Sequence, residues 1–389
     1  MLNKRSFGVV LFALAAFVSV PLTADTVVKG FVGDKLNACI QNHVLKTSPE
    51  ALARVFTHRS GTVDWQSEFW GKYMLSAVPL MRYLGDDVLK ERIKRSVEIV
   101  LSAQQSDGYI GTYRPDCRAG EGWDVWGMKY TLLGLLEYYS ATRDERAIAA
   151  AKKLADNLLV RFENRDLRKS GNFRGLPSCS ILGAFVRLYH ATRDERYYLF
   201  ARRISEEVDA ADGPRLVRDA LAGIPVASRP TDATVKGSGL KAYEMMSCYQ
   251  GLLMYADLVE QKGGAKELAG NLRVAVLSAA RSISTTEINI TGGGAANEVW
   301  FGGAAKETSP YGSLQETCVL TTWMRLCEML LVKTDDPSWA DEIRVCFANQ
   351  PASCYIAVKD KQIVGFIGVD DPEQNGRNAG LLKSVSEFI

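Results

Sequence analysis

Ala141-Thr142-Arg143-Asp144-Glu145-Arg146 and Ala191-Thr192-Arg193-Asp194-Glu195-Arg196 are the same six residues, set 50 positions apart. Each copy follows an apolar run (Tyr130 to Tyr139, Ile181 to Tyr189) and leads into an amphipathic one (Ala147 to Val160, Tyr197 to Val208). Leu and Ala recur at i, i+3 and i+4 in these runs, so they read as helices with the polar hexapeptide as the turn between them. Looser copies stand at Tyr83-Leu84-Gly85-Asp86-Asp87 and Lys333-Thr334-Asp335-Asp336-Pro337, and Gly251 to Leu268 has the same helix, polar turn, helix shape. Helical hairpins repeated at this period stack into a solenoid or close into a ring. The segments between hairpins are long, irregular and rich in Gly and aromatics, as loops at the mouth of a barrel are, which favours the ring. The expected fold is all-α: an incomplete (α/α)6 barrel of helical hairpins over residues 25–345, with a short β-hairpin tail.

The ends of the chain read differently. Lys4 and Arg5 precede an apolar stretch from Phe7 to Val20, and Pro21-Leu22-Thr23-Ala24 follows. A basic start, an apolar run too short to span a bilayer and a small terminal residue describe a signal peptide over 1–24, hence a periplasmic or secreted protein with no membrane insertion after cleavage. From Cys354 to Asp371 two β-rich runs flank Lys359-Asp360-Lys361, a hairpin signal, so 346–389 reads as an unrelated or truncated tail. Lys and Arg number 47 against 45 Asp and Glu, and this balance leaves no basic face for nucleic acid. Eight cysteines include no C-x-x-C pair, which leaves some disulfides open but no zinc ribbon. With three histidines in all, a His-based hydrolase is not expected.

Four loops carry candidate chemistry. Asp107-Gly108-Tyr109-Ile110-Gly111, followed by Trp123-Asp124-Val125-Trp126, interleaves aromatics, glycines and acids; such rings stack on sugar faces and such acids bind hydroxyls, although an aromatic core under a tight turn has the same composition. Between Arg54 and Trp70 lie His58, Arg59, Asp64, Trp65 and Glu68, either a sugar-binding group or a helix entry capped by Asp64. Thr291-Gly292-Gly293-Gly294 lets backbone approach a ligand closely, and Glu298 follows beside Trp300. Glu316-Thr317-Cys318 sets a carboxylate and a thiol where both can reach zinc, or else an N-terminal helix acid and a core Cys. Glu298 and Glu316 flank one loop, and two carboxylates are what glycosidic cleavage uses.

Phe69-Trp70-Gly71-Lys72, Asp107 to Gly111, Ala242-Tyr243-Glu244-Met245-Met246-Ser247 and Glu316-Thr317-Cys318, in this order, resemble glycoside hydrolase family 127, the β-L-arabinofuranosidase family, over about residues 30 to 345. The resemblance implies an (α/α)6 barrel followed by β-sandwich domains, and a retaining mechanism with a zinc-bound cysteine nucleophile. It makes Glu298 the acid/base, and Glu316 and Cys318 two of four zinc ligands. Trp65, Asp107, Tyr109, Trp123, Trp126 and Glu244 are the expected substrate-binding residues. The other two ligands in the family are an adjacent Cys-Cys pair, one of them the nucleophile, and no such pair occurs in these 389 residues. Lys241 stands where the family has a histidine, and Trp126-Gly127-Met128-Lys129 replaces another. Gly365-Phe366-Ile367-Gly368-Val369-Asp370 in the tail is similar to the closing hairpin of a GAF-like sensor domain. Two functions follow: a secreted glycoside hydrolase acting on arabinofuranosides or related plant glycans, or a catalytically inactive, truncated carbohydrate-binding relative lacking the cysteine nucleophile.

Overall fold

The computed structural model describes residues 28–229, 240–305 and 316–349 together with strands at 354–359 and 362–368. The expected signal peptide and the last part of the tail lie outside the described residues. The helices are α1 (Gly30–Cys39), α2 (Pro49–Ala53), α3 (Glu68–Leu84), α4 (Asp87–Ser102), α5 (Asp124–Thr142), α6 (Glu145–Arg161), α7 (Leu176–Cys179), α8 (Leu182–Thr192), α9 (Glu195–Glu207), α10 (Leu216–Leu221), α11 (Ala242–Gln261), α12 (Lys266–Thr286), α13 (Thr317–Thr334) and α14 (Ser338–Asn349). Two antiparallel strands, β1 (Cys354–Lys359) and β2 (Gln362–Gly368), form the hairpin expected in the tail. Among the described residues no helix is long and apolar enough to cross a membrane.

The repeated hexapeptide makes the same turn each time. Arg143 and Arg193 take left-handed backbone (φ 57° and 58°), which stops α5 and α8. Asp144 and Asp194 then cap α6 and α9, each carboxylate accepting from the N–H of Arg146 or Arg196 at 3.0 Å. Thr142 and Thr192 close the turn by accepting from the N–H of the capping Asp at 3.3 Å. The looser copies keep this chemistry: Gly85 is left-handed and Asp86 caps α4, while Asp335 is left-handed and Asp336 caps α14.

Five such hairpins are present among the described residues: α3–α4, α5–α6, α8–α9, α11–α12 and α13–α14. Their first helices pack in the order α3, α5, α8, α11, α13, forming the inner wall, and each second helix backs its partner. The outer helices α4, α6 and α9 keep one polar face exposed, whereas α5 and α11 are buried over most of their length. The two ends of the inner row, α13 and α3, both pack against the β-hairpin. The helical body runs on to Asn349, past the boundary expected at residue 345.

The inner helices approach closely. A Cβ on Gly71 of α3 would overlap the backbone carbonyl of Tyr130 on α5, and a Cβ on Gly251 of α11 would lie 3.0 Å from the Gly183 nitrogen of α8. Gly71→Ala is therefore expected to lower stability by about 1–3 kcal/mol, because a backbone carbonyl cannot swing aside. Urea denaturation of the two proteins checks this, and a change under half a kilocalorie would contradict it. The seven cysteines within the described helices and loops (39, 117, 179, 248, 318, 327 and 346) are free thiols, so none of the disulfides left open by the sequence forms among them.

Candidate active site

The long loops all enter at the N-terminal ends of the inner helices, and the candidate residues gather there. Asn297 and Glu298 are both left-handed (φ 50° and 60°), the signature of a type I′ turn, closed by paired hydrogen bonds of 3.0 Å between Ala296 and Val299. Asn tolerates this backbone; Glu does so at a cost of about 1–2 kcal/mol. The same turn is clipped to the start of α11, where the Ala242 N–H donates to the Glu298 carbonyl at 2.7 Å and the Trp300 N–H to Leu240 at 3.2 Å. That clip brings the Lys241 ammonium into an ion pair with one Glu298 oxygen. The other oxygen accepts from the Cys318 thiol at 3.4 Å.

Glu316 and Cys318 come from the first residues of α13. Donor atoms of Glu298, Glu316 and Cys318 all lie within 4.8 Å of one another, the one group of this kind among the described residues. Two carboxylates and a thiol so close form a donor set that zinc accepts. Burial pushes the Cys318 thiol well up, with Glu316 adding to it and Lys72 and Lys241 opposing, so the sulfur is a neutral thiol without a metal.

Aromatic rings wall this cluster. Trp123, half-buried, packs on Trp126 and Phe173 at centroid distances of 6.0 and 5.8 Å, and Lys241 Nζ lies 5.8 Å from Trp123 and 5.3 Å from Phe173. Beneath them is a buried polar layer. Glu68 accepts from the Trp126 indole N–H and pairs with Lys72 at 3.2 Å, while the hydroxyls of Tyr130 and Tyr243 meet at 2.5 Å. Glu244 is buried with one oxygen unpartnered, and burial raises its carboxyl despite the nearby Lys241.

Several expectations change on this geometry. Tyr109 is wholly buried; its hydroxyl donates to Asp124 at 2.6 Å, so the ring is core and not a platform for sugar. Asp107 is held by Arg161 at 3.2 Å and Arg118 at 3.6 Å and fixes its own loop. Trp126 is also buried (2% exposed) and presents its ring to other rings. Trp65 is 40% exposed just before α3. Asp64 does not cap α3, which starts at Glu68 after Ser67; its carbonyl instead accepts from Tyr113 at 2.8 Å. Gly292 (φ 82°) faces the backbone of Cys346 on α14, not a ligand, and its carbonyl accepts from the Cys346 thiol at 3.1 Å.

Sequence reading missed Glu287, whose buried carboxylate accepts from the N–H groups of Phe301, Gly302 and Gly303 at 3.1, 2.9 and 3.3 Å and so anchors the loop carrying Glu298. An acid at the end of α12, before a Gly-rich segment, was the available signal. It also missed the role of Lys72, a charge in an otherwise apolar helix four residues after Glu68.

A family model described as "Beta-L-arabinofuranosidase, GH127 catalytic domain" matches residues 22–379. The non-reducing end beta-L-arabinofuranosidase of Bifidobacterium longum subsp. longum is 26% identical over 170 residues, which cover 40% of this chain and 25% of that protein. Among solved structures, a GH127 beta-L-arabinofuranosidase from Geobacillus stearothermophilus T6 superposes with a TM-score of 0.60 at 15% identity, covering 82% of this chain and 55% of that one. Cellobiose 2-epimerase from Spirochaeta thermophila gives 0.52 at 13% identity, covering 81% and 83%. These structural likenesses establish the helical-barrel fold. The chain spans about a quarter of the curated relative it matches and about half of the arabinofuranosidase structure.

Proposed function

Because this chain belongs to glycoside hydrolase family 127, the β-L-arabinofuranosidase family, we propose that it cleaves β-L-arabinofuranosides or related plant glycans with Glu298 as the acid/base. The observation that carries this reading is the Glu298 carboxylate, presented on a strained turn beside Lys241 and Cys318 and against the aromatic wall of Trp123 and Phe173. A carboxyl there can give its proton to the leaving oxygen and later take one from water. Trp123 and Phe173 offer apolar faces to a furanose, and Lys241 holds Glu298 in place. The N-terminal sequence supports export to the periplasm or beyond.

Glu316 and Cys318 are the residues that would hold zinc. A bound zinc ion keeps a coordinating sulfur ionised. Because burial pushes the Cys318 thiol up, loading must release its proton, and affinity is expected to rise with pH. Wild-type protein dialysed against zinc is expected to retain about one equivalent, and Cys318→Ser to retain none. Metal analysis that finds no zinc in wild type, or equal zinc in both, would contradict the assignment.

A second reading, glycan binding without turnover, is favoured by one fact: Lys241 already neutralises Glu298. A panel of aryl β-L-arabinofuranoside, α-L-arabinofuranoside and β-D-galactofuranoside separates the two. Turnover confined to the first supports the hydrolase; binding of arabinofuranosides with no turnover supports the second reading.

A further inference from the structure

Below the Tyr130–Tyr243 pair the barrel axis holds a cavity of about 70 Å³, lined by residues of all five inner helices. That is room for about five water positions, enough for a four-oxygen anion. Three of its lining side chains are cations (Lys129, Arg187 and Arg325), and no carboxylate of the described residues lines it. Ser180, Ser247, Gln250, Thr321 and Thr322 add neutral polar groups on three sides.

The cations are unequally satisfied. Arg187 pairs with Glu137 at 2.5 Å. Arg325 makes no ion pair among the described residues; its charge acts on Glu328, whose carboxyl burial lifts to about 7. Lys129 is 5% exposed, and its ammonium has no hydrogen-bond partner among the described residues. It lies 3.9 Å from the Trp126 ring centroid and 4.6 Å from that of Tyr130, so ring faces lie against the charge. A buried ammonium without a hydrogen-bonded partner is costly, and Lys129 also lines the cavity, where a counter-ion has room to stand.

We infer that this axial cavity is a binding site for a small oxoanion, of the phosphate, sulfate or carboxylate class, held between Lys129, Arg187 and Arg325. The charged and titratable groups facing Lys129 are Lys72 and Glu68 from α3 and Glu244 and Cys248 from α11. Burial lowers the Lys129 ammonium to about 7, with Lys72 adding to the effect and Cys248, Glu244 and Glu68 opposing it. Sulfate keeps its charge between pH 6 and 8.5, so its affinity falls over that interval as Lys129 loses its proton.

The test is isothermal titration of the full chain with inorganic sulfate, inorganic phosphate and a free hexuronate at constant ionic strength. Wild type is expected to bind one anion per chain, with Kd raised about tenfold or more in both Lys129→Met and Arg325→Met. Preference for sulfate or phosphate upholds the site; preference for the hexuronate, too large for room of about five waters, would place the binding elsewhere and overturn it. Absence of saturable binding to folded wild-type protein overturns it, as does a Kd unchanged in folded Arg325→Met. Should Lys129→Met fail to fold, Arg325→Met at the partly exposed side of the cavity carries the comparison. Sulfate and phosphate are not sugars, so those two arms are independent of the hydrolase proposal.

Discussion

Glu298→Gln is expected to lower hydrolysis of a β-L-arabinofuranoside by about 10²–10⁴-fold, the usual contribution of a positioned acid or base. Gln keeps the shape of the side chain and can still accept from Lys241, so the turn at Asn297–Glu298 and the clip to α11 should survive. The loss should therefore fall on kcat more than on KM. It should also depend on the leaving group: a nitrophenolate departs with little protonation, whereas an alkoxide needs a proton, which the proposed reading assigns to Glu298. A smaller loss on the nitrophenyl substrate than on an alkyl glycoside would identify the acid role. Equal rates for mutant and wild type would remove Glu298 from the chemistry.

The largest stability effect is expected at Glu68. Its carboxylate meets both the Trp126 indole N–H and the Lys72 ammonium, with side chains only 5% and 2% exposed. Glu68→Leu would leave the Lys72 charge facing the rings of Tyr243, Tyr130 and Trp126 at 4.6, 5.1 and 5.9 Å, with no other ion-pair partner among the described residues. Breaking one side of a buried pair costs about 3–5 kcal/mol, while replacing both partners by apolar residues is often near neutral. Glu68→Leu should thus be strongly destabilised, and Glu68→Leu/Lys72→Met should recover most of the loss. Denaturant melts of the three proteins measure the coupling. A single substitution costing less than about 1 kcal/mol would show that the rings alone satisfy Lys72.

What was legible in the sequence was local. The hexapeptide beginning at Ala141 and at Ala191 contains its whole explanation, because the left-handed Arg, the capping Asp and the Thr that closes the turn are neighbours in the chain. The hairpin at 354–368 was legible for the same reason. Glu298, Glu316 and Cys318 stood out by residue type and spacing, family resemblance gave them roles, and the fold brings their donor atoms together. What escaped was set by distant partners. Tyr109 reads like a sugar platform until Asp124 is seen to take its hydroxyl. Gly292 reads like a ligand cradle until α14 is packed against it. Lys241 reads as a lost histidine, and only the clip between its strand-like segment and Val299 shows that it holds Glu298.

The most direct measurement is release of arabinose from an aryl β-L-arabinofuranoside by the purified, zinc-dialysed chain, with folding verified by circular dichroism. Turnover that saturates with substrate and falls by about 10²-fold or more in Glu298→Gln is the expected result. No release from folded protein that still binds the sugar would contradict the hydrolase assignment and leave a carbohydrate-binding barrel in its place.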